Sequence, residues 1–139
     1  MSTGTVAPRA RHHLTEYAAE ALGLGLFMLS ACGFAVLLFH PASPAAAWPV
    51  PPFWRGALMG LAMGLTAVLN IYSPWGRRSG AHLNPAVTLA FWRLGKVRGA
   101  VVPGYLAAQL VGGLAGVAVA LLLLGGRVAD PAVNYVVTV

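Results

Sequence analysis

The stretch Ser79-Gly80-Ala81-His82-Leu83-Asn84-Pro85-Ala86-Val87-Thr88 decides how this chain is read. It lies between hydrophobic spans and opens an apolar segment too short to cross a membrane. Pro85 suits the first position of a helix, where its missing N–H costs nothing. Asn84 is then the N-cap, offering its side-chain oxygen to a backbone N–H of the first turn. Its carboxamide NH₂ is left to donate to something passing by. The helix expected over residues 85–94 is about 15 Å long, against a hydrocarbon core of about 30 Å. It therefore stops near the midplane, with its positive dipole end facing whatever occupies that depth.

Outward from this stretch the chain is a membrane protein. Of its 139 residues 58% are hydrophobic and 9% charged, which leaves no surface for a soluble domain. Mean hydropathy is +0.75. Residues 17–39, 53–73 and 100–124 each satisfy the rule of about 20 apolar residues per spanning helix. The expected fold is all-α: three transmembrane helices plus one re-entrant half-helix, in a single membrane domain over residues 1–139. Residues 1–13 are basic like the head of a signal peptide. The span behind them is long and begins with Glu16 and Glu20, so a retained first helix is the reading preferred to a cleaved signal. Cys32 has no cysteine to pair with and reads as a packing residue.

A net charge of +6 raises the question of nucleic acid, and its distribution answers it. Arg9, Arg11, Arg77, Arg78, Arg93, Lys96 and Arg98 are expected on one side of the membrane, with Arg55 and Arg127 on the other. That is a positive-inside pattern. It places the N-terminus in the cytoplasm and residues 40–52 outside, in a plasma membrane of the bacterial inner-membrane type, with no nucleic-acid partner. Residues 40–52 hold Pro41, Pro44, Pro49, Pro51 and Pro52 and read as a stiff, extended external link. Ser73-Pro74-Trp75-Gly76 reads as a turn closing the second span.

Small residues recur at helical spacing. Gly56, Gly60 and Gly64 form one stripe on the second span, and Gly112 and Gly116 another on the third, both expected as seams for close helix contact. Polar residues within the spans are few and are functional suspects. Among them are Glu20, Thr66, Asn70 and Gln109. Glu20 is either solvated at the interface or buried, and burial needs hydrogen-bond donors. The backbone N–H groups of residues 80–83 are the plausible source. His82 invites an acid–base or metal reading, but no His or Cys at ligand spacing accompanies it, so a packed ring is preferred. No nucleophile–base pair or metal cluster is present, so neither an enzyme nor a cofactor is expected.

The stretch 79–88 resembles the first Asn-Pro-Ala box of the aquaporin, or major intrinsic protein, family, which includes the glycerol facilitators. Ala19-Glu20-Ala21-Leu22-Gly23 resembles that family's first helix, and Ala108-Gln109 with the following glycines its third. Asn134-Tyr135-Val136-Val137-Thr138 resembles its long external connection. The resemblance implies passive channel transport of water or small neutral solutes such as glycerol. Family channels join two inverted repeats, and this chain resembles the N-terminal one. A fragment, a truncated reading frame or one half of a split protein is therefore expected, along with a separate second repeat as partner and, from the family only, a homotetramer. The alternative is an inactive membrane fragment or interaction protein without transport of its own. Self-complementation by two oppositely inserted copies conflicts with the charge bias.

By the same resemblance, the carbonyls of Gly80, Ala81 and His82 line the pore and Asn84 donates to the passing oxygen at the Asn84-Pro85-Ala86 step. Glu20 and Gln109 brace the loop. Met63 falls where family members carry a filter aromatic, although a strict count back from Asn84 puts Gly64 there. Either is smaller than an aromatic ring, and water against glycerol-like solutes stays open.

Overall fold

The computed structural model describes residues 7–136, with side chains from residue 13 onward. Readings that fall on residues 1–6 and on Val137 and Thr138 lie outside the described residues. Helix α1 runs Ala7–Phe39, α2 Pro52–Tyr72, α3 Pro74–Ser79, α4 Pro85–Arg93 and α5 Val102–Leu124. Short 3-10 turns at Pro44–Ala47, Gly99–Val101, Gly125–Ala129 and Pro131–Val136 fill the connections. Among the described residues there is no strand. Three segments are long and apolar enough to cross a membrane: His13–Ala47, Pro52–Tyr72 and Gly99–Ala129.

Helix α1 begins ten residues before the expected start of its span at residue 17. Hydropathy marks where a helix enters lipid, not where its hydrogen bonds begin. The residues ahead of Tyr17 are tolerated in helices, and His13 pairs with Glu16 one turn on at 3.1 Å. At the other end of the second span, the expected turn 73–76 is a helix start. Ser73 Oγ accepts from Gly76 N at 2.9 Å and donates to Asn70 O at 2.6 Å, closing α2 and capping α3 at once. Pro74 then occupies the first position of α3. The same residue types that signal a turn also nucleate a helix, and here the capping geometry decides for the helix.

The backbones of α1 and α5 come into contact. A methyl group added at Gly112 would lie 2.1 Å from Ala21 O, and one at Gly116 would lie 2.2 Å from Gly25 O. Only glycine permits that approach. Further along the pair, Cys32, Val36, Ala120 and Val128 form a buried cluster, with Cys32 packed as a free thiol. The stripe on α2 behaves differently. A methyl group at Gly56, Gly60 or Gly64 would meet nothing within 4 Å, so this stripe is no seam among the described residues. Periodicity specifies a smooth face without specifying what packs on it. Helix α2 is instead tied to α1 by Ser30 and Thr66, whose hydroxyls are 2.9 Å apart.

The link 40–52 is not extended. It folds through the 3-10 turn Pro44–Ala47 around the Arg55 side chain. The guanidinium donates to the carbonyls of Leu38, Ala45, Ala46 and Trp48, and Nε donates to Val50 O. Prolines leave the link short of its own donors, and the five N–H groups of Arg55 supply them. His40 Nδ1 accepts from Ala42 N, while Nε2 lies 3.4 Å from Asp130 Oδ2, joining this link to the one after α5.

Candidate functional site

Residues 80–83 connect α3 to α4 through an unusual backbone. Gly80, Ala81 and Leu83 have φ of 90°, 48° and 50°, the left-handed region that side chains other than glycine rarely adopt. Gly80 ends α3 as a left-handed cap. Ala81 and Leu83 each cost on the order of 1 kcal/mol in that region and persist only where surroundings over-determine them.

Glu20 does so. It is fully buried on α1. Its Oε1 accepts from His82 N at 2.9 Å and its Oε2 from Leu83 N at 2.8 Å. Gln109, fully buried on α5, donates from Nε2 to Glu20 Oε2 at 2.8 Å and to Thr88 Oγ1 at 2.9 Å. The carboxylate neighbour fixes the amide orientation, since the opposite one would set oxygen against oxygen. Gln109 Oε1 is then a buried acceptor with no partner among the described residues. Solvation of Glu20 at an interface does not occur: the buried alternative holds, with the turn's N–H groups as donors.

The His82 ring is packed. It lies 4.9 Å from the Tyr105 ring and 5.0 Å from Phe91, and Nδ1 is 3.1 Å from Thr88 Oγ1. Burial pushes its pKa below the ordinary imidazole value, outweighing the opposing pull of Glu20. Tyr105 OH donates to Ser79 O at 2.7 Å, holding the last turn of α3. Tyr105 was not singled out from sequence, and Ser79 and Thr88 entered only as the ends of the stretch 79–88, with no role of their own. Two had a usable signal: Thr88 follows Asn84 by four residues and Tyr105 precedes Gln109 by four, so each shares a helix face with a suspect.

Asn84 caps α4. Its backbone is extended, and Oδ1 accepts from Ala86 N at 2.8 Å with Pro85 at the first helical position. Asn84 is exposed, and its Nδ2 donates to no described residue. Gly80 and Ala86 are exposed too, and Ala81 and Pro85 half-buried. The carbonyls of Gly80, Ala81 and His82 accept from no described residue. The 80–86 segment is thus held by Glu20 on the N–H groups of His82 and Leu83 and by Thr88 on the His82 ring. Gln109 braces Glu20 and Thr88, and Tyr105 holds Ser79. The segment keeps a donor and acceptors that bond no described residue. Helix α4 is nine residues, about 14 Å, and ends at Arg93 with Leu94 as its cap. Met63 is half-buried and Gly64 exposed on α2, both outside this hydrogen-bonded cluster.

These features define an all-α membrane protein with a short helix entered through an internally braced turn. Residues 8–138 match the family model described as major intrinsic protein, and the chain belongs to that family. It is similar to aquaporin Z of Photorhabdus laumondii, 36% identical over 116 residues, covering 83% of this chain and 46% of the relative. It is also similar to the propanediol uptake facilitator PduF of Citrobacter freundii, 36% identical over 107 residues, covering 77% of this chain and 36% of the relative. Aquaporin-1 of Rhizopus delemar is 32% identical over 111 residues, covering 78% and 33%. The chain spans less than half the length of these curated relatives.

Proposed function

We propose that this chain is the N-terminal repeat of an aquaporin-type pore, passing water or small neutral solutes such as glycerol together with a second repeat. The observation that carries this reading is the one-sided turn at 80–86. Glu20 and Gln109 hold its inner side, so the free carbonyls of Gly80, Ala81 and His82 and the Asn84 carboxamide are left as a fixed row of acceptors ending in a donor.

Such a row suits a neutral hydroxylic solute. The carbonyls accept its hydrogens in sequence, and Asn84 Nδ2 donates to its oxygen at the helix entrance. The positive end of α4 disfavours cations at the same point. Pro85 and Ala86 complete the start of that helix, and Met63 belongs to the wider mouth on α2. Under this reading α4 is a re-entrant half-helix and residues 1–139 form one membrane domain. The second wall comes from a repeat of opposite orientation, joined or separate, and four such pores form the family's tetramer. The N-terminus faces the cytoplasm of a bacterial-type inner membrane, and no chemistry is catalysed.

The test is osmotic shrinkage of liposomes containing this chain, alone and with a complementary second repeat from a relative. Acceleration only with both halves is the expected outcome. Loss of that acceleration in Asn84→Leu, with unchanged reconstitution, ties it to the donor. No acceleration in either preparation would leave a membrane protein without transport.

A further inference from the structure

A groove of about 360 Å³ lies between α1 and α3. Thr15 lines it from α1 with Ala18, Ala19 and Leu22, and Pro74, Trp75 and Arg78 line it from α3. Trp75 has its indole N–H engaged by Asn70 Oδ1 at 3.3 Å, which leaves ring carbon to the groove. Arg78 is exposed and makes no hydrogen bond, ion pair or ring contact with the described residues. Its neighbour Arg77 instead sits 6.0 Å over the Tyr72 ring.

No carboxylate is available to neutralise Arg78. The chain has three acidic residues. Glu16 pairs with His13, Glu20 is buried on the turn, and Asp130 faces His40. The groove also starts directly beyond Tyr72, the last residue of a spanning helix, which is the depth where a tryptophan and an arginine meet lipid headgroups.

We propose that this groove is a binding site for an anionic phospholipid, with an acyl chain along the alanines, Leu22 and Trp75 and the phosphate on Arg78. The guanidinium matches a phosphate through paired N–H donors. A second copy of the chain fits poorly, because it brings a net charge of +6 to an unpaired cation. A free phosphate would leave the apolar wall wet.

The experiment uses the full chain with Trp48, Trp54 and Trp92 replaced by phenylalanine, so that Trp75 alone reports. Phosphatidylcholine vesicles carry a minor fraction of dibrominated phosphatidylglycerol or, separately, dibrominated phosphatidylcholine. Quenching should give about fivefold higher occupancy for the anionic lipid, as expected for one cation at a headgroup. Arg78→Gln should abolish the preference, and Arg98→Gln, another exposed cation outside the groove, should leave it intact. For the chain with all four tryptophans, added phosphatidylglycerol should raise the unfolding temperature in micelles more than phosphatidylcholine does. Equal quenching by both lipids, or equal loss in the two arginine variants, overturns the site in favour of diffuse surface charge. Competition by inorganic phosphate overturns the lipid as its ligand, and quenching by neither lipid shows the groove covered by protein.

Discussion

Glu20 accepts N–H bonds from two consecutive residues of one turn and from Gln109, so it anchors a backbone that would not hold its own shape. Glu20→Gln keeps the volume but points an NH₂ at other donors. Stability should fall by about 1–3 kcal/mol, the cost of leaving buried groups unpaired. Unfolding in micelles measures this, and an unchanged midpoint would remove Glu20 from its bracing role. His82 gives a pH signature. Its folded-state pKa lies below the unfolded value, so the unfolded chain takes up the proton first as pH falls. The stability it contributes is present above about pH 6.5 and is lost as pH drops through that value towards the lower folded pKa. The pH slope of stability should therefore be shallower in His82→Asn, and an unchanged slope would assign it to other groups. The suspects Glu20 and Gln109 were legible in the sequence because charged and amide side chains in lipid need partners. Thr88 and Tyr105 carried only the weaker signal of a helix face shared with Asn84 and Gln109, since a hydroxyl on an apolar helix is ordinary until its neighbours are known.

At the scale of elements, two glycine stripes of the same spacing have opposite fates. Gly112 meets the Ala21 carbonyl, so Gly112→Leu should lower stability by about 3 kcal/mol or more through forced separation of α1 and α5. Gly60 faces open space, and Gly60→Ala should change stability by no more than about 0.5 kcal/mol. Similar losses for both variants would contradict this contrast. Arg55 does for the 40–52 link what a sheet or helix would do, satisfying carbonyls through one side chain. Arg55→Gln should increase protease cleavage within 40–52 while leaving helix content by circular dichroism unchanged. Protection equal to that of the parent would show that the prolines alone hold the link. The sequence showed the prolines; that they bend around Arg55 follows from carbonyls converging in space.

For the whole molecule, the cation distribution argues for a single orientation, with residues 40–52 outside. Cysteines introduced at Ser2 and at Ala42 should react with an impermeant thiol reagent in intact cells only at the second position. Reaction at both would mean dual insertion. Composition and hydropathy determined by themselves that the chain is helical and membrane-bound, because continuous apolar runs of about 20 residues fit spanning helices, in which every backbone group is bonded within its own segment. The Asn84-Pro85 step likewise determined where the short helix starts, since capping is a local interaction over a few residues. Only the tertiary structure decided that one glycine stripe packs while another does not, and that Glu20, Gln109 and Thr88 meet at one turn. Those outcomes depend on which faces approach, and helix faces remote in sequence find each other by shape and hydrogen bonding across the fold.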